Sequence, residues 1–303
     1  MSQTPTRSAL SATAFLTLLL IALMMGANHV AARLAFNHGV DVVTAVSFRS
    51  GVTALVVGLI IWRQQVSLVL SPRHKKFLPL IGLLIAVQSV CLYSSVARLP
   101  VALALLVFNT YPISTALWAR LLYGHRPERA VVLSMPIMLI GLALALDVLG
   151  AASGLGAAAQ WGQIGAGVAF AMGASATFGL ALVWTQHEAG DLDGRLRTFT
   201  TMAQVAVLAS LTALSTGGFH MPADVPGWWG LSLLTFLYGT AFTIMFIVLP
   251  KLGVVGNSPI MNVEPVFALV LAWALLGQTI APLQLAGAAI VVGTVMALGF
   301  RKR

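Results

Sequence analysis

Apolar residues run along this chain in long blocks separated by short polar stretches. Each block approaches the roughly 20 residues that a helix needs to cross a bilayer. Ten are legible, at 12–33, 42–62, 77–97, 101–122, 130–149, 163–185, 198–216, 228–249, 256–276 and 282–300. The seventh is the most polar, with many Ser and Thr. Only "RLPV" separates the third block from the fourth, and Pro100 there predicts a tight helical hairpin. The pattern predicts an all-α polytopic membrane protein of ten transmembrane helices.

Composition agrees. Of 303 residues, 59% are hydrophobic and 8% charged, against about a quarter charged in soluble domains. The net charge of +9 would suggest nucleic acid in a soluble chain, but its distribution reads as topology. With the N-terminus cytoplasmic and the helices alternating, the inner ends hold Arg7, Arg63, Arg73, Lys75, Lys76, Arg120, Arg126, Arg129, Arg195, Arg197, Lys251, Arg301, Lys302 and Arg303. The outer ends hold Arg33 and Arg98, and Arg49 lies within a span. This bias places both termini in the cytoplasm, in an inner (plasma) membrane protein. No nucleic-acid partner is expected; "SPRHKK" can touch anionic lipid. The N-terminal apolar stretch could be read as a secretory signal, but its core continues past the small residues.

One cysteine, Cys91, excludes an intrachain disulfide and thiolate metal clusters. The six His show no metal-ligand spacing, so no metal and no cofactor is expected.

The chain also repeats itself. "RLPVALALLVFNTYP" (98–112) lies over "KLGVVGNSPIMNVEP" (251–265), pairing Arg98 with Lys251, Asn109 with Asn262 and Pro112 with Pro265, and the frame holds to Gly124 and Gly277. Met-Gly-Ala at 25–27 likewise lies over 172–174. Residues 1–149 form a first five-helix repeat, 150–162 a connecting loop and 163–303 a second repeat. Because five is odd, the second repeat enters the membrane from the opposite side, an inverted-topology arrangement found in secondary transporters.

Polar residues inside spans are the candidate chemistry. Glu264 is the one acid of eight near the middle of a span, where an ionised carboxylate costs about 2.5–3.5 kcal/mol on translocon scales. It is either a pathway residue that meets an amino group or carries a proton, or a structural acid held by backbone donors, Arg49 or His29. Asn109 and Asn262 stand three residues before Pro112 and Pro265, which expose the carbonyls of Phe108 and Met261. Each Asn can serve that loosened backbone, pack as interhelical glue, or offer its amide to a ligand. The prolines mark helix breaks near midplane, where irregular backbone survives against protein or a cavity.

Asn28 and His29 in the first span, Gln88 and Tyr93 in the third, Tyr111 in the fourth and Tyr238 in the eighth can converge on one cavity. An aromatic and amide lining suits a flat apolar substrate with a polar end. Packing is the competing role of each. Trp62, Trp118, Trp161, Trp184, Trp228 and Trp229 lie near span ends and read as interfacial anchors. "GQIGAGVAFAMGASATFG" (162–179) predicts close helix packing, with sliding of the sixth helix as the alternative. "SGLGAAA" (153–159) lacks the strand that a dinucleotide fingerprint requires, and "GDLDG" (190–194) lacks most calcium ligands. No nucleophile, base and orienter can be assembled within the spans, so the chain is not expected to be an enzyme.

The pattern resembles the EamA-type carriers of the drug/metabolite transporter superfamily. "GANHVAARLA", Arg49 in "SFRSG", "NTYP", "NVEPVFALVLAWALLGQ" and "LQLAGAAIVVGTVMALG" carry the resemblance, over essentially the whole chain. Within the superfamily it is most similar to the YddG-type exporters of aromatic amino acids. Family members often carry Gly-Glu after the fourth and ninth helices, where this chain has Gly124-His125 and Gly277-Gln278. The resemblance implies alternating-access export of a small-molecule substrate, most of all amino acids with aromatic ones favoured, with protons as a candidate partner. A carrier for another metabolite or a lipophilic cation, or a non-transporting receptor or assembly factor, is the alternative.

Overall fold

A computed structural model describes residues 12–125, 129–245 and 263–300. All regular elements among them are helices: α1 (Ala12–Asn37), α2 (Val42–Arg63), α3 (Pro72–Val96), α4 (Val101–Phe108), α5 (Tyr111–Tyr123), α6 (Arg129–Ala145), α7 (Ala157–Glu188), α8 (Gly194–Ser215), α9 (Val225–Thr243), α10 (Glu264–Leu276) and α11 (Pro282–Phe300).

Among the described residues six stretches are long and apolar enough to cross a membrane: α1, α2, α3, the run Val101–Tyr123, α7 and α8. Val132–Ala145, Glu264–Leu276 and Pro282–Ala297 are shorter apolar helices. The end of the eighth expected span and the start of the ninth lie outside the described residues.

Short polar loops supply the side-chain caps that start α2, α3, α8 and α9. The Asp41 carboxylate accepts the Thr44 N–H at 2.9 Å. Ser71 forms a reciprocal capping box with His74, with Pro72 in the first turn of α3. Asp193 caps α8, and Asp224 accepts the Gly227 N–H at 3.0 Å to cap α9. α7 begins at Ala157, several residues before 163. The Ala157–Gln160 segment, rich in alanine, extends it into the stretch expected to be connecting loop.

The expected single span 101–122 is two helices. α4 ends at Phe108, and Asn109 and Thr110 form a joint before Tyr111-Pro112 opens α5. Proline fits the first turn of a helix, where its missing N–H has no partner to lose, so Pro112 starts a helix and does not kink one. The Asn109 side-chain amide donates to Leu105 O at 2.8 Å, four residues back, and not to Phe108. α5 and α10 match in detail. Each has 13 residues, opens on Tyr111-Pro112 or Glu264-Pro265, and closes on a left-handed glycine, Gly124 (φ 68) or Gly277 (φ 64).

The helices pair reciprocally: α1 packs on α9 and α7 on α3, α2 on α8, and α6 on α11. Small residues permit the approach. A Cβ on Gly230 would stand 2.6 Å from Ala35 N, and one on Gly287 2.3 Å from Ala145 N. The glycine-rich α7 uses Gly167 against Leu99 and Gly179 against Ser114 and Thr115. Apolar side chains such as Leu55, Leu59, Leu121 and Phe236 stay exposed on the outside, as lipid contact requires. Trp62, Trp161, Trp228 and Trp229 are also exposed. Trp118 and Trp184 are half-buried: the Trp118 indole N–H donates to Ala176 O at 3.0 Å, and Trp184 stacks edge-on to Phe77.

Polar contacts tie both ends of the bundle. On one side His38 pairs with Asp224 at 2.7 Å and the Ala223 N–H donates to His38 O at 3.0 Å. On the other, Arg73 Nε donates to Glu188 at 2.7 Å, the Tyr123 hydroxyl donates to the same carboxylate, and Arg195 donates to Gln64. His74 Nδ1 accepts the Ser71 N–H, so its Nε2 carries the proton that meets Asp191 at 3.0 Å.

Candidate functional site

Glu264 is the first residue of α10, where a carboxylate faces the positive end of the helix dipole. It reaches that position because α1 has no side chain in the way. A Cβ on Gly26 would lie 3.0 Å from both Glu264 O and Ala268 N, so the two backbones touch. One turn along α1, His29 Nδ1 stands 3.2 Å from Glu264 Oε1 and 2.8 Å from Met25 O. A carbonyl can only accept, so Nδ1 carries the proton and the ring's tautomer is set. Glu264 is 17% exposed and His29 3% at their side chains.

The neighbouring Asn28 is fully buried, and the Tyr93 hydroxyl donates to its Oδ1 at 2.9 Å. Tyr93 stands edge-on to the His29 ring at 5.7 Å and to Phe36 at 5.8 Å. It also flanks Arg49 of α2, whose guanidinium carbon lies 4.4 Å from the Tyr93 ring centre and 3.9 Å from that of Tyr238 on α9. Each such contact contributes about 0.5–2 kcal/mol, less than the several kcal/mol that burying an ion costs. Tyr238 in turn packs on Phe242 at 4.4 Å and directs its hydroxyl to Met202 Sδ at 3.6 Å.

Five helices thus bring Asn28, His29, Arg49, Tyr93, Tyr238 and Glu264 into one connected polar cluster inside an apolar bundle. Tyr111 holds the position in α5 that Glu264 holds in α10, and the Glu264 charge acts on it. Its ring packs with Phe108 at 5.6 Å and Phe178 at 5.1 Å. Gln88 is buried on α3 and accepts from the Ser89 hydroxyl at 3.4 Å; among the described residues it makes no hydrogen bond to the cluster. Asn109 is engaged with its own helix. Asn262 lies outside the described residues. Pro112 and Pro265 occupy the second position of α5 and α10.

Sequence reasoning placed Arg49 only as a possible partner of Glu264; the structure gives that place to His29. Phe178, Met202 and Phe242 were not singled out, and Phe108 only for its backbone carbonyl. Arg49 carried a signal of its own, being a cation in the middle of a span. The four apolar residues carried none, because nothing in a local window separates a ring that lines a site from one that fills a core.

The arrangement can hold a charge of either sign. It offers a carboxylate on a protonated imidazole nitrogen, a guanidinium between two phenol rings, and a phenol–amide hydrogen bond between them. The imidazole–carboxylate contact is also a short path for a proton.

Residues 12–146 and 165–300 each match the sequence profile of the EamA-like transporter family. No curated protein matches the chain significantly. A protein of known crystal structure shares the fold, at a TM-score of 0.62 and 18% identity over 95% of this chain and 98% of its own.

Proposed function

The chain belongs to the EamA-like transporter family, and from that footing we propose that it exports small metabolites, most of all amino acids with aromatic ones favoured, by alternating access. It is a multi-pass membrane transporter of small molecules. The observation that carries the narrower reading is the buried cluster itself. A carboxylate, a guanidinium and two tyrosines (Tyr93, Tyr238) sit where the two matched stretches meet, a lining suited to a small molecule with a flat apolar body and a charged end.

Several features support an inverted pair of repeats as the moving parts. α1·α9 and α7·α3 are equivalent contacts if the halves are exchanged, and α2·α8 and α6·α11 map onto themselves. The shared starts and caps of α5 and α10 fit the same exchange. The charge bias favours both termini in the cytoplasm of an inner membrane protein. Similarity to YddG-type exporters is the ground for the outward direction and the aromatic preference.

A second reading, transport of a lipophilic cation, draws on the packed Phe108, Tyr111 and Phe178 rings, with the Glu264 charge acting on Tyr111. Flux into and out of proteoliposomes, with labelled amino acids and lipophilic cations at two pH values, separates the two. Saturable movement of phenylalanine or tryptophan supports amino acid export. Movement of cations alone transfers the assignment, and absence of any flux leaves a receptor or assembly role.

A further inference from the structure

We infer that Arg49 is the anion-binding group of the central site, and that the substrate brings it a carboxylate. The inference deepens the carrier reading above and rests on it. Its basis is a buried charge without a counter-charge. Arg49 is 4% exposed, in the interior of α2, and its Nε has no hydrogen-bond partner. Among the described residues no carboxylate lies within ion-pair distance of it, and residues 246–262 contain no Asp or Glu. Glu264 is the one acid near the middle of a span, and it is held on His29.

Arg33 also has a buried Nε without a partner, but its terminal nitrogen shows what a structural solution looks like. Arg33 donates to Val96 O at 2.7 Å and to Leu99 O at 3.3 Å, at the carbonyl end of α3 where the helix dipole is negative. No described carbonyl serves Arg49 in this way. Its neighbours are the Tyr93 and Tyr238 rings, with the Tyr93 hydroxyl in reach. Rings stabilise the charge and leave hydrogen-bond donors to spare. A guanidinium presents Nε–H and one Nη–H side by side, the fork that a carboxylate meets with both oxygens.

Tyr93 also keeps the two charges apart. Arg49 lies against its ring, while the His29 ring that holds Glu264 meets the same tyrosine edge-on. Direct pairing of Arg49 with Glu264 would have cancelled both charges. Held on either side of one tyrosine, they form a positive pole and a negative pole, which complement the carboxylate and ammonium of an α-amino acid. Arg49 is enclosed, so the helices must part for a substrate to reach it, as alternating access requires.

The test is binding to the purified full-length protein, by calorimetry or thermal shift, of three probes: phenylalanine, phenylpropionate (no amine) and phenethylamine (no carboxylate). The wild type should bind phenylalanine and phenylpropionate. Arg49→Gln should weaken both about 10- to 100-fold, the size of a lost bidentate charged contact, and leave phenethylamine unchanged. Arg49→Lys, which keeps the charge without the fork, should lose part of that affinity and guards against a misfolded Gln variant. Glu264→Gln should do the reverse, weakening phenethylamine and sparing phenylpropionate. Equal carboxylate binding by wild type and both Arg49 variants overturns the inference. So does a wild type that binds neither carboxylate probe, and flux of another solute in proteoliposomes would then leave the carrier reading standing.

Discussion

Gly26 of α1 and Glu264 of α10 are separated by less than a side chain: a Cβ on Gly26 would stand 3.0 Å from the Glu264 carbonyl oxygen. That contact fixes the depth at which Glu264 meets His29. Gly26→Ala should therefore push the first turn of α10 away. Overpacking of this kind costs about 1–3 kcal/mol, against a helix-propensity gain of about 1 kcal/mol. Lower melting temperature and lower flux are expected, and a variant with unchanged flux would show that α10 does not need this approach.

The His29–Glu264 pair predicts a proton dependence. Glu264→Gln keeps size and hydrogen bonding but cannot ionise. Flux should lose its pH dependence while the variant purifies as a folded monodisperse protein. A pH profile identical to wild type would remove Glu264 from any coupling.

Tyr93→Phe deletes one hydroxyl and leaves Asn28 Oδ1 buried without its donor. An unpaired buried acceptor costs about 1–3 kcal/mol. Adding Asn28→Leu should recover part of that loss, so a double-mutant cycle on thermal stability should give a coupling of at least about 0.5 kcal/mol. Strict additivity would mean the bond contributes nothing.

Outside the membrane, Asp224 is held below the ordinary carboxylate range, first by the Gly227 N–H and then by His38. A carboxyl whose folded pKa is depressed stabilises the fold above its unfolded pKa, and that contribution is lost as pH falls through the folded value. Asp224→Ala should melt earlier than wild type at neutral pH. The gap should close on acidification below about pH 4, and a gap that persists there would point to a steric cause.

Membrane sidedness is open to a direct measurement. In a Cys91→Ser background, cysteine at Ser67, between α2 and α3, should react with an impermeant maleimide only from the cytoplasmic side. Cysteine at Thr216, after α8, should react only from outside. Labelling of both from one side would break the alternating topology.

The long apolar blocks made most helices legible, because lipid imposes its requirement locally, residue by residue. Break points were less so. Pro112 advertises an interruption, but whether proline bends a helix or begins one depends on how the preceding turn ends, here at Asn109 bonded back to Leu105. At the site, Asn28, His29, Tyr93, Tyr238 and Glu264 stood out as polar groups in apolar runs. Arg49 stood out too, yet its placement between two phenol rings depends on how α2, α3 and α9 are rotated about their own axes. No single segment encodes that rotation.

Asn28, His29, Arg49 and Tyr93 come from one family-matched stretch, Tyr238 and Glu264 from the other. Neither stretch alone supplies the whole candidate cluster: the first brings Arg49 and His29 without Glu264, the second Glu264 without His29. Selection on the candidate site would therefore act on a seam. Drift on one side is tolerable only when answered from the other, and compensating changes should be sought across that boundary before they are sought within either half.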